Sequence, residues 1–181
     1  MKNAVKGLVL AGAAGALLAG GALPASAAGT GAQDKVPKGY GNVRLEKVFG
    51  TYGMCLSMDN SKANKADLKL RKCAKKATTQ RWDLVWINDN KPNQARIFVI
   101  KNKHSKKCLY VRSAKTKTQV EQTSCNTKSK AQQWTFAGST IKNVSAKKVL
   151  TAASSSSGQK ITITPVDGSN KGRAKQEWGL S

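Results

Sequence analysis

Apolar side chains between Val43 and Thr164 come in short bursts, and none of the bursts has the spacing of an amphipathic helix. Val43-Arg44-Leu45-Glu46-Lys47-Val48 alternates apolar and charged positions, which is the period of a strand with one buried face. Leu68-Lys69-Leu70, Ile97-Phe98-Val99-Ile100, Thr118-Gln119-Val120 and Ile161-Thr162-Ile163-Thr164 are also short, rich in β-formers and bounded by turn residues. Between them, Asp59 to Asn64, Asn88 to Asn93 and Ser154 to Gly158 have loop composition. The serine run falls where a hairpin tip is needed. The pattern predicts an all-β chain.

A longer period lies over the short one. Gln80-Arg81-Trp82 returns as Gln132-Gln133-Trp134 and as Gln176-Glu177-Trp178. Ahead of the first stand Cys55-Leu56 and Cys73, and ahead of the second Cys108-Leu109 and Cys125. Ahead of the third, Val149-Leu150 and Val166 occupy the same offsets. A unit of roughly 40 to 50 residues repeated three times is an architectural signature, because one such unit cannot bury its apolar face alone. A valine pair in place of a cysteine pair is a matched change, expected to pack where the others crosslink.

Cys-Leu, a second Cys about 17 residues on and then Gln-x-Trp, three times over, resembles the ricin B-type β-trefoil lectin family. The resemblance covers residues 41–181. It implies a single β-trefoil of three pseudo-symmetric repeats, at about 41–87, 94–137 and 138–181, with about twelve strands. Six strands would form a barrel and three hairpins a cap. Gln80, Trp82, Gln132, Trp134, Gln176 and Trp178 would then be core residues, each indole N–H needing a partner.

Residues 1–27 read as a secretory signal: Lys2 and Lys6, an apolar run from Gly7 to Gly21, and Ala25-Ser26-Ala27 as the cleavage pattern. The run is too short to span a membrane, so a secreted, extracellular product is expected, as a monomer with a flexible tail at 28–40. In an oxidising compartment four cysteines in two local pairs read as disulfides, Cys55–Cys73 and Cys108–Cys125. Zinc is the competing reading, but the spacing is not that of metal ligands and His104 is the single histidine. No metal and no cofactor is expected.

Charge changes the picture most. The chain carries 32 basic and nine acidic residues, formally +23. Removing the first 27, which hold two lysines and no acid, leaves 154 residues at +21. In the resembled family a sugar-binding repeat has Asp after Cys-Leu, an aromatic two residues before the second Cys and Asn before Gln-x-Trp. Here those positions hold Ser57, Arg71 and Thr79; Tyr110, Thr123 and Ala131; and Thr151, Thr164 and Lys175. No repeat keeps any of the three groups, so galactose-type binding is expected to be lost.

Basic residues follow the repeat instead: Lys75 and Lys76, Lys128 and Lys130, and Lys171, Arg173 and Lys175. With Tyr110, which stands at the family's Asp position, these are the candidate ligand-binding residues. Anionic glycans or other polyanions would relieve the self-repulsion of such a chain; the plainer alternative is that the lysines are only solvated surface. Nucleic acid would answer the same charge, but Phe49, Tyr52 and Tyr110 are the few aromatics left for base stacking. A cell-binding or protein-docking subunit of a toxin or inhibitor is a further alternative. Catalysis is not expected, since His104 sits alone among cations and no nucleophile motif is present.

Overall fold

The structure is a computed structural model that describes residues 35–87 and 95–181. The expected signal and the loop at 88–93 lie outside the described residues. Twelve strands follow in chain order: β1 (Leu45–Lys47), β2 (Met54–Ser57), β3 (Lys69–Lys72), β4 (Trp82–Trp86), β5 (Ile97–Asn102), β6 (Cys108–Val111), β7 (Val120–Thr123), β8 (Gln133–Ala137), β9 (Thr140–Asn143), β10 (Val149–Ala152), β11 (Ile161–Thr164) and β12 (Trp178–Leu180).

Six of them close a ring. β1 pairs with β12, β4 with β5, β5 with β8 and β8 with β9, all antiparallel. The bridges Val43 to Trp82 and Thr140 to Glu177 complete it. The other six form the hairpins β2–β3, β6–β7 and β10–β11. These meet through Asp67–Glu121, Gln119–Thr162 and Lys69–Lys160 bridges, over Leu68, Val120 and Ile161, one fully buried residue from each hairpin. This is a β-trefoil, and closure of the ring removes the long open edges that an all-β chain would otherwise expose.

The repeated Gln-x-Trp pairs are the fasteners. Trp82, Trp134 and Trp178 are buried and donate Nε1–H to the carbonyls of Leu56, Leu109 and Leu150 at 3.3, 3.4 and 3.1 Å. The Gln80 amide accepts from the Ala74 N–H and donates to the Lys72 carbonyl. Gln132 does the same with Asn126 and Ser124, and Gln176 with Asp167 and Pro165. Each glutamine thus grips the residues on either side of Cys73, Cys125 or Val166. Gln132→Ala would leave two backbone groups without partners, at about 1 kcal/mol or more each. A loss of roughly 2 kcal/mol is expected in urea unfolding.

Both disulfides stay within their repeats, Cys55–Cys73 and Cys108–Cys125. The third repeat departs from expectation. Val149 is fully buried, but Val166 is 59% exposed, so the two valines do not replace the crosslink by packing. The Gln176 amide holds that loop instead, with an added bond to Thr164 Oγ1 at 2.8 Å.

One other expectation is corrected. A short helix, α1 (Asn170–Gln176), occurs where no helical period was visible. The equivalent segments Thr78–Gln80 and Lys130–Gln132 are single 3-10 turns. Gln80 and Gln132 follow their cysteines by seven residues, whereas Gln176 follows Val166 by ten. The extra length winds into a turn, capped by the Ser169 hydroxyl accepting from the Gly172 N–H at 3.0 Å. Residues 35–40 bond to the barrel. The Trp86 N–H donates to the Lys35 carbonyl and the Leu84 N–H to the Tyr40 carbonyl, while Tyr40 stacks on Phe98.

One buried position breaks the threefold pattern. In the ring, Trp82 lies opposite Asn102 and Trp134 opposite Asn143. Asn102 donates to the carbonyls of Thr79 and Arg81, and Asn143 to those of Ala131 and Gln133. Opposite Trp178 stands Lys47. It is 2% exposed, its ammonium lacks a hydrogen-bond partner, and it rests 4.6 Å from the centre of the Trp178 ring. Burial lowers its pKa from 10.5 to about 8, against the opposing pull of Glu177.

Candidate functional site

Each repeat brings three segments to one surface position: the strand after the first cysteine position, its hairpin partner, and the loop before Gln-x-Trp. In the first repeat Ser57, Arg71 and Thr79 line a cleft of about 710 Å³, with Ser157 from the third repeat's hairpin opposite them. Arg71 reaches Asp59 through two bonds of 2.8 and 2.7 Å, and Lys69 adds a third at 3.2 Å. The Arg71 hydrogen bond, seconded by Lys69 and opposed by burial, holds the Asp59 carboxyl below the usual carboxylate range. One acid therefore answers two cations, and exposed Lys72 at the same cleft leaves it net positive.

In the third repeat Thr151, Thr164 and Lys175 line a cleft of about 550 Å³. Thr151 Oγ1 and Thr164 Oγ1 are hydrogen-bonded at 2.8 Å, so the floor is a fixed pair of hydroxyls. Lys117, from the tip of the second repeat's hairpin, lines the opposite wall. In the second repeat Tyr110 is half-buried in β6 and lies opposite Glu121, whose carboxylate pairs with Arg112 at 3.5 Å.

The structure sorts the sequence candidates. Lys75 and Lys76 are exposed on the loop that Gln80 grips, and they do not line the first cleft. Lys128 and Lys130 are exposed at the equivalent place in the second repeat, and Lys171 on α1 in the third. Lys175 lines the third cleft. Arg173 is engaged within the protein, bonded to Glu177 at 2.6 Å and lying 4.3 Å from the Phe49 ring centre. Tyr52 is 75% exposed, whereas Phe49 is covered by that guanidinium.

Sequence reasoning missed Asp59 and Lys117. Lys117 belongs to a symmetric set of hairpin tips, Lys65, Lys117 and Gly158, all with positive φ. Their N–H groups bond across to Gln122, Ile163 and Leu70. Aligning Gly158 with the two lysines was the available signal. Among the described residues, the potential metal-ligand group Glu46, Cys55 and Cys73 contains both sulfurs of a disulfide, which offer no thiolate. His104 is half-buried, and its N–H is fixed by Asn102 Oδ1 at 3.0 Å.

The profile of the ricin-type β-trefoil lectin domain matches residues 42–178. The chain belongs to this family. Among solved structures it is similar to the designed threefold-symmetric protein ThreeFoil, with a TM-score of 0.62 and 24% identity over 76% of this chain and 96% of that one. It is also similar to the C-terminal half of an earthworm R-type lectin in complex with GalNAc, with a TM-score of 0.55 and 16% identity over 77% of this chain and 97% of that one. A chain of the cytolethal distending toxin of Actinobacillus actinomycetemcomitans matches with a TM-score of 0.60 and 18% identity over 80% of this chain and 94% of that one. No curated protein sequence matches the chain. As a ricin-type lectin domain, it keeps the family's Gln-x-Trp fasteners and two disulfides.

Proposed function

We propose that this lectin domain is a secreted, non-catalytic glycan-binding protein that recognises anionic glycans or similar polyanions. The observation that carries the reading is the replacement pattern at the clefts. Where the family has carboxylate, aromatic ring and amide, the first cleft has Ser57, Arg71 and Thr79 and the third has Thr151, Thr164 and Lys175. Cations from neighbouring segments, Lys72 and Lys117, complete them. A hydroxyl floor on which the two lysines of the third cleft outnumber its one acid, Asp167, suits sulfate or carboxylate on a sugar better than the hydroxyl pair of galactose, because lysine grips an anion without demanding one geometry. The exposed loop lysines extend each site along a polymer. Each contact is weak alone, and joint engagement of two or three supplies the avidity.

An array of neutral, sulfated, phosphorylated and uronic glycans together with DNA, probed at low and moderate salt, tests this. Retention is expected on sulfated and uronic polymers, with loss as salt rises, and galactose should not compete. Preference for DNA, or salt-insensitive retention on a neutral sugar, would overturn the reading. His104→Ala should leave glycan binding unchanged, since that side chain lies outside both clefts. The similarity to a chain of the cytolethal distending toxin favours a second reading, a cell-binding subunit, which a companion chain in co-purification would reveal.

A further inference from the structure

The turn from β8 into β9 lies at the end of the ring away from the hairpin cap. Among the described residues a cleft of about 480 Å³ lies there, apart from the clefts of the first and third repeats. Its lining is aromatic: the half-buried Tyr40 and Phe136 face it, supported by Phe98, which is 2% exposed and meets Phe136 edge to face at 5.7 Å. Tyr40 stacks on Phe98, nearly parallel at 5.5 Å. Around the rim are Arg96, Ser139 and Leu180, and Arg96 lies 5.1 Å from the ring of Trp86. Gly138 turns β8 into β9 at the cleft with a φ of +57°. Trp86 is the tryptophan that the threefold motif does not use.

We infer that this cleft is a separate binding site for a single carboxylated pyranose, a hexuronate residue. A pyranose has a C–H face that settles on aromatic rings and an edge of hydroxyls. The cleft offers the matching division, with the Tyr40 and Phe136 rings on one side and the Tyr40 hydroxyl, the Ser139 hydroxyl and main-chain groups at the rim. An aromatic acid would cover the rings but leave those rim groups without partners, which costs affinity. Arg96 supplies the cation, in a fork suited to a carboxylate. The volume falls in the range of about 300 to 1,000 Å³ common to ligand clefts. The inference does not depend on the loop lysines.

The test is a titration of the full chain with sodium glucuronate, glucose and benzoate, followed by tryptophan emission and by calorimetry. Glucuronate should bind in the millimolar range and change the emission, through the contact between Arg96 and Trp86. Glucose and benzoate should bind at least tenfold more weakly. Arg96→Gln should weaken glucuronate about tenfold, the loss of one charged hydrogen-bonding partner. Leu180→Trp, which fills the rim without touching the charge, should abolish binding. A variant with the loop lysines changed to serine should bind free glucuronate like the parent, even where it has lost polymers. No glucuronate binding, unchanged binding in both cleft variants, or tighter binding of benzoate would each overturn the site.

Discussion

Lys47→Asn should raise the stability of the folded chain by about 3 kcal/mol at neutral pH. Folding lowers the pKa of this ammonium from 10.5 to about 8. Each tenfold loss of proton affinity costs about 1.4 kcal/mol wherever the lysine is protonated in both states. The new amide would stand where Asn102 and Asn143 stand in the other two sectors. It would face the carbonyls of Lys175 and Glu177, the residues that flank Gln176 as Thr79 and Arg81 flank Gln80. The pH signature separates this cause from improved packing. Between about 8 and 10.5 the unfolded chain holds a proton that the native Lys47 has released, so stability must rise with pH across that window. Below about 8 the cost is complete and the contribution is flat. Urea unfolding of the parent at pH 7.5 and 10 should show the rise, and Lys47→Asn should remove it. A variant no more stable than the parent at pH 7.5 would mean that the Trp178 ring and local water already satisfy the ammonium.

The second large effect is on binding. Changing Lys75, Lys76, Lys128, Lys130, Lys171 and Lys175 to serine together should weaken retention of a uronic or sulfated polymer by roughly 10²-fold or more. Each pair alone should cost far less, because the remaining loops still engage the same chain. Arg173 is left out because its charge is spent on Glu177. Lys117→Ser, made separately, should act like a member of the third pair despite lying in another repeat, since it shares the cleft with Lys175. Stability should change little in the loop variants, because those side chains are exposed or half-exposed. Lys117→Gly should even stabilise by up to about 1 kcal/mol, since glycine relieves the positive φ.

The architecture was legible because its fasteners are sequence-local. Gln80 grips the chain around Cys73 within eight residues, and Gln132 grips that around Cys125 over the same distance. The motif and cysteine spacing therefore carried the fold with them. Lys47 was not legible for the opposite reason. Its partner strand is β12, at the far end of the chain, so its equivalence to Asn102 and Asn143 appears only once the ring has closed. In Val43 to Val48 the period of two puts it on the face of Val43 and Leu45, so the pattern carries its inward direction but not its place opposite Trp178. α1 was hidden because seven residues are too few to show a helical period, and its cause is loop length rather than pattern. The clefts were half legible: Arg71 and Lys175 sit at countable offsets from their motifs, whereas Asp59 lies two residues beyond the motif position Ser57 and Lys117 comes from another repeat.

The central claim is that exposed cations, and not a neutral sugar pocket, carry recognition. It is tested most directly by the salt dependence of affinity for one uronic polymer, measured by calorimetry on the parent and on the six-serine variant. Exposed charges are screened beyond a Debye length of roughly 8 Å at physiological ionic strength. The parent should therefore lose affinity steeply as salt rises, and the variant should start weak and vary little. Equal affinities in the two proteins, or a parent curve that is flat with salt, would contradict the account.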